Sequence, residues 1–112
     1  MALSSRITES RDFASMYYTG LFEPEELDQI DWVRFRTFVT SAFRYYETSY
    51  IQYRNGDLDD ELWETLAHQL SAATETPGFR KWWKDRENWY SQDFRDLVNR
   101  TASIPTEGEA LR

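Results

Sequence analysis

Residues 31–54 read DWVRFRTFVTSAFRYYETSYIQYR, and this stretch carries the strongest periodic signal in the chain. At about 100° per residue, ten of its apolar and aromatic side chains fall within one arc of a helical wheel that is roughly 160° wide. They are Tyr45, Phe38, Ala42, Phe35, Tyr53, Tyr46, Val39, Trp32, Tyr50 and Phe43. An apolar face this wide is typical of a helix covered by several neighbours. The pattern therefore predicts a long, aromatic-rich central helix.

Two helices are predicted before this segment. The first covers about residues 4–18, with Gly20 as its C-terminal stop, because glycine tolerates the left-handed conformation of many helix ends. The second opens at Pro24, since proline fits the first helical turn, and it is followed by acidic side chains that suit the positive end of the helix dipole.

The central helix is predicted to end at Asn55-Gly56. A third helix follows, with Asp57 or Asp59 as its N-cap, and runs to about Thr74. Its apolar residues share one face, so this helix is expected to pack against the central one.

Two further helix starts are marked by capping residues. Thr76-Pro77 opens a fourth helix, whose aromatic side chains are expected to face inward, and Ser91 caps a short last helix. Short loops imply antiparallel neighbours. The predicted fold is all-α, a compact bundle of four to five helices around the central helix.

Composition limits the chemistry that the chain can perform. The 112 residues form one predicted helical domain over residues 1–102, followed by a tail, 103–112, that is expected to be disordered. The formal net charge of −7 argues against nucleic-acid binding. There is no cysteine and only one histidine, so no metal site, cofactor or catalytic constellation is expected.

The chain also lacks the apolar segments used in membrane targeting. No run approaches the 18 or so apolar residues of a membrane-spanning helix, and the first residues do not resemble a secretory signal. A cytoplasmic location is therefore expected.

A second pattern lies in the spacing of aromatic, acidic and glycine residues across residues 31–98. It consists of Tyr46-Glu47, Gln52-Tyr53, Gly56, Leu58-Asp59, Leu62-Trp63, Pro77-Gly78-Phe79, Trp82-Trp83, Ser91 and Phe94. This pattern resembles a family of uncharacterised bacterial proteins, a domain of unknown function whose members look helical and often follow one or two membrane helices. The resemblance implies an all-α fold and no known activity. The membrane helices are absent here, so the chain is either a soluble member or a piece of a longer protein.

Glu47 is the acidic residue that the aromatic segment surrounds most closely in sequence. A carboxylate at an apolar boundary is most often paired with an arginine, and the candidates are Arg44, one turn back, and Arg80 or Arg86 from another helix. The other interpretations are contact with a ligand or catalysis. We expect an arginine pair through which Glu47 orients the central helix.

The sequence indicates a small interaction or regulatory module rather than an enzyme. Aromatic side chains and arginines are enriched among the residues that dominate protein interfaces, so a protein partner or self-association is expected. The alternative is an aromatic pocket for a small molecule or lipid between the central helix and the Trp82-Trp83 helix. The candidate binding residues are Glu47, Tyr46, Tyr50, Tyr53, Trp82 and Trp83.

Overall fold

The computed structural model describes residues 2–104, with side chains from residue 9 onward. Five α-helices lie in this range: α1 (Ala2–Phe22), α2 (Gln29–Arg54), α3 (Asp60–Thr74), α4 (Pro77–Arg86) and α5 (Gln92–Thr101). Single 3₁₀ turns occupy Pro24–Glu26 and Glu87–Trp89. Within the described range there is no strand, and the predicted all-α bundle is confirmed.

Capping residues start α4 and α5 where the sequence predicts. The Thr76 hydroxyl accepts a hydrogen bond from the Phe79 N–H at 3.2 Å, and Pro77 follows it at the first helical position. The Ser91 hydroxyl accepts one from the Phe94 N–H at 3.3 Å. Each cap satisfies a backbone donor that the helix itself leaves unpaired.

The turn between α2 and α3 also follows local chemistry. Gly56 has a φ of 79°, and the Asp57 N–H donates back to the Gln52 carbonyl at 2.8 Å, which closes the end of α2. Of the two predicted caps, Asp59 starts α3, because its carboxylate accepts from the Glu61 N–H at 2.9 Å.

The predictions before α2 need correction. Helix α1 continues through Gly20 to Phe22, and the helix predicted after Pro24 is only the 3₁₀ turn. Helix α2 starts at Gln29, because the Asp28 carboxylate caps it by accepting from the Asp31 N–H at 2.8 Å. Gly20 ends no helix; it is buried, where the ring of Phe35 leaves no space for a side chain.

The core lies among the five helices and is largely aromatic. Phe35, Val39 and Phe43 project from α2 into it, and Phe43 packs 4.7 Å from Trp82, measured between ring centroids. The other buried apolar residues of this cluster are Met16, Leu70, Phe79, Trp83, Tyr90, Phe94, Val98 and Ala102. All five helices contribute to it, which agrees with the central position predicted for α2.

The apolar face of α2 is narrower than the sequence predicts. Phe38 is 41% exposed and Tyr45 is 59% exposed, although the helical wheel placed both in the covered arc. On this side of α2, the aromatic contacts of Phe38 are with Phe13 and Tyr17 of α1. Since α1 covers only part of this side, an apolar strip remains in contact with solvent.

Two predictions concern the chain's ends and its relation to membranes. Of the predicted tail, residues 105–112 lie outside the described residues, whereas Ile104 packs against the core and its N–H donates to the Asn99 carbonyl at 2.8 Å.

In the described part of the chain, no helix has both the length and the apolar content needed to cross a bilayer.

Candidate functional site

A small polar network crosses the aromatic core at Thr40. The Thr40 hydroxyl donates to the Arg36 carbonyl at 2.7 Å and accepts from the Trp82 indole N–H at 3.0 Å. The Thr40 carbonyl accepts from the Tyr90 hydroxyl at 2.8 Å. These bonds satisfy buried polar groups that would otherwise cost about 1–3 kcal/mol each, and they join α2 to α4 and to the start of α5.

Glu47 and Arg44 together hold the connection between α4 and α5. Glu47 is buried, and its carboxylate accepts from Arg44 at 2.6 Å and from the backbone N–H of Ser91 at 2.7 Å. The Arg44 guanidinium also donates to the Trp89 carbonyl at 3.1 and 3.2 Å and lies 4.5 Å from the ring centroid of Tyr90. The expected arginine pair is therefore present with Arg44, and it anchors the start of α5 to α2.

Tyr90 lies against this pair and is almost fully buried. Burial raises the pKa of its phenol well above the ordinary value of 10.0; Arg44 opposes the shift and Glu47 adds to it. Burial likewise raises the pKa of Tyr17 and, together with its tyrosine neighbours, that of Tyr46. The folded state thus holds Tyr90 in its neutral form.

Folding stability is expected to fall at alkaline pH, partly through Tyr90. The pKa of Tyr90 is higher in the folded chain than in the unfolded chain. Its contribution to the free energy of unfolding is therefore complete below about pH 10 and declines as the pH rises above that value. Between about pH 9 and pH 11 the loss from this group is about 1 kcal/mol. Urea denaturation of Tyr90→Phe should show a shallower alkaline decline than wild type. Tyr18→Phe, at an exposed position, is the control, and equal slopes for all three proteins would contradict the prediction.

Two of the predicted binding residues pack between α2 and α3. The rings of Tyr50 and Tyr53 lie 5.3 and 5.4 Å from that of Trp63, and Arg54 covers the Tyr50 ring at 5.6 Å. These contacts hold α3 on α2, so both tyrosines have a packing role in the structure.

Trp82 and Trp83 lie in the core, where they are 0% and 2% exposed. The indole N–H of Trp83 donates to the Asn99 side chain at 2.8 Å, as that of Trp82 does to Thr40. Packing and hydrogen bonds within the core therefore account for both indole rings. With Glu47 turned towards Ser91, the six predicted residues do not form one surface, and their role in binding stays a prediction.

A partly enclosed apolar cavity lies among α1, α2, α3 and α4, and it overlaps the region between α2 and α4 where the alternative pocket was predicted. Its volume is about 50 Å³, and Tyr46 is the only predicted binding residue among those that line it. Pockets for drug-sized ligands measure about 300–1,000 Å³. The cavity thus lacks the volume for such a ligand without rearrangement.

An open groove of about 450 Å³ runs between α1 and the solvent side of α2. We name it the α1–α2 groove, and its lining residues are Phe13, Met16, Val33, Arg34, Thr37, Phe38 and Ser41. Neither Phe13 nor Val33 was predicted as a site residue, because the wheel of one helix does not show what a second helix places beside it. Phe38 belonged to the predicted apolar arc, and nothing in the sequence indicated that it stays exposed.

A second open cavity, of about 230 Å³, adjoins the groove on the other side of Thr37 and Ser41. We name it the Arg36–Arg86 cavity, and its lining residues are Arg36, Thr37, Thr40, Ser41, Arg86 and Trp89. The sequence did not link Arg86 with Arg36, which lies on another helix, so it did not indicate this cluster.

No protein-family model, curated protein or solved structure matches the chain. The resemblance to a family of helical-domain proteins consequently stays a prediction, and the geometry alone carries the functional argument.

Proposed function

We propose that the chain is a non-catalytic interaction module that binds an apolar, positively charged segment of a partner protein in the α1–α2 groove. The observation that carries this proposal is the concentration of exposed apolar side chains in one concave surface. Phe13 is 37% exposed, and Val33 and Phe38 are each 41% exposed. Contiguous exposed apolar surface of this kind is characteristic of interaction sites.

The side chains of the groove pack closely against one another. The Phe38 ring packs edge-on at 5.1 Å from Phe13 and 5.2 Å from Tyr17, measured between centroids, and Met16 at the base is only 4% exposed. Side chains fixed in this way lose little rotamer freedom when a partner binds, so more of the contact energy remains as affinity.

Charge favours a basic partner over a second copy of the chain. Arg34 in the groove wall is neutralised by Asp31 at 2.9 Å and by Asp12 at 3.5 Å, so the wall offers a partner little free positive charge. The chain carries a net charge of −7, and two copies would repel each other at long range. Opposite charge steers association, which favours lysine or arginine residues flanking the apolar anchors of the partner.

Peptides selected from a random display library against the folded chain provide the test. We expect apolar peptides rich in lysine and arginine, whose affinity falls about tenfold or more with Val33→Asp or Phe38→Asp, because each variant buries an unpaired charge in the contact. Ile51→Asp is the matched control, since Ile51 is 47% exposed on the same helix and does not line the groove.

Two results would count against the proposal. Equal losses with Ile51→Asp would show that the affinity does not come from the groove. Sedimentation equilibrium showing a dimer that Val33→Asp dissociates would make a second copy the occupant. Circular dichroism of each variant separates loss of binding from loss of the fold.

A further inference from the structure

The Arg36–Arg86 cavity contrasts with the rest of this acidic chain. Arg36 and Arg86 both line it, and none of its lining residues is acidic. Among the residues that the structure describes, neither Arg36 nor Arg86 forms an ion pair, whereas Arg34, Arg44 and Arg54 all do. Two unneutralised cations beside one cavity produce a local positive potential despite the net charge of −7.

The Arg86 side chain packs on the ring of Trp89. Its guanidinium lies 4.3 Å from the ring centroid of Trp89, and its single hydrogen bond in the described structure is a long one, 3.4 Å, to the Asp85 carbonyl. Trp89 is in turn held by Arg44, which donates twice to its carbonyl. A guanidinium stacked on an indole keeps its edge N–H groups available for a bidentate contact.

Hydroxyl groups complete the donor set. Thr37 and Ser41 are exposed at the cavity, and within the described residues their side chains make no hydrogen bond. The Thr40 hydroxyl, by contrast, is already engaged with Arg36 and Trp82. Two arginines and two hydroxyl-bearing residues therefore line the same cavity.

We propose that the Arg36–Arg86 cavity binds the dianionic phosphate of a small phosphate monoester, with Trp89 contacting the organic part of the ligand. Two positive charges balance a dianion, and a phosphate offers three terminal oxygens to the donors. Trp89 is 56% exposed and adds an apolar surface beside them. A nucleic acid is disfavoured, because a polyanion requires an extended basic surface and this chain is acidic. The proposal does not rest on the function of the α1–α2 groove.

Titration with phenyl phosphate, followed by ¹⁵N–¹H NMR, tests the site. We expect saturable shifts of the Trp89 indole N–H and of the Arg36, Ser41 and Arg86 amides. Benzenesulfonate, a monoanion of similar shape, should bind about tenfold more weakly, since only one negative charge meets the two arginines. Inorganic phosphate should shift the same amides with lower affinity, because it makes no contact with Trp89.

Variants distinguish this site from general attraction of anions. Arg36→Gln and Arg86→Gln should each weaken phenyl phosphate about tenfold, whereas Arg100→Gln, at an exposed position on α5, should change the affinity less than about twofold. Unchanged melting by circular dichroism confirms that each variant folds. Shifts that do not saturate, or an equal loss with Arg100→Gln, would overturn the proposal.

Discussion

Gly78→Ala is expected to lower the free energy of unfolding by about 3 kcal/mol, whereas alanine normally stabilises a helix by about 1 kcal/mol relative to glycine. The cause is the close crossing of α1 and α4. A Cβ atom at Gly78 would collide with the carbonyl oxygen of Gly20 and would lie 2.8 Å from the Cα of Leu21. Because both contacts are with backbone atoms, the two helices must move apart to relieve them. This separation also disrupts the packing around Phe35 and Phe79.

Gly56→Ala is the matched control for this variant. No atom lies within 4 Å of a Cβ atom built at Gly56, but its φ of +79° is unfavourable for alanine. We expect this control to lose about 1 kcal/mol through backbone conformation alone. Chemical denaturation measures both variants. If the Gly78→Ala protein is no less stable than the Gly56→Ala protein, the result would contradict the close contact between α1 and α4.

Glu47→Ala is expected to destabilise the chain by about 2 kcal/mol, because it removes two charge-assisted hydrogen bonds at a buried position. The variant leaves the Ser91 N–H without its acceptor and releases Arg44, which remains partly hydrated because its side chain is 46% exposed. We also expect faster amide hydrogen exchange at Ser91 and in the first turn of α5, since this pair anchors that turn to α2.

Two comparisons make the Glu47 result specific. Glu64→Ala, at an exposed position on α3, should change stability by less than about 0.5 kcal/mol. In a double-mutant cycle, Arg44→Ala and Glu47→Ala should be less than additive, because both remove the same 2.6 Å contact. Full additivity, or a Glu47→Ala protein as stable as wild type, would show that the pair does not hold the connection to α5.

Structural features that depend on neighbouring residues were predicted correctly from the sequence. Thr76, Ser91 and Gly56 act within a few positions of themselves, so the preferences of individual residue types located the helix ends. The pairing of Glu47 with Arg44 is also local, since the two residues are three positions apart. Helical periodicity, which the same segment shows over about 24 residues, was sufficient to predict α2.

Features that depend on residues far apart in the chain were predicted wrongly or not at all. Gly20 was interpreted as a helix stop, but it is required for the close packing of Phe35 and of Gly78 on α4. The second partner of Glu47 is Ser91, which is 44 positions away. No local pattern contains these contacts, because they depend on how the helices pack against one another.

The two proposed binding surfaces could not be predicted from the sequence for the same reason. A helical wheel assigns Phe38 to the apolar face of α2, but only the position of α1 determines that 41% of it stays exposed. Likewise, Arg36 and Arg86 are 50 positions apart and share a cavity only because α4 and the following turn pack beside α2. Aromatic residues and arginines were correctly identified from the sequence as the residue types of the proposed sites. Which of them are accessible depends on how the helices pack.

A map of amide chemical-shift changes on binding a selected basic, apolar peptide tests the proposed interaction most directly. We expect the largest changes at Phe13, Met16, Val33 and Phe38, with little change on α3 at the exposed Leu62. Changes centred on α3 or α5 while these four amides remain unaffected would contradict the assignment of the α1–α2 groove as the binding surface.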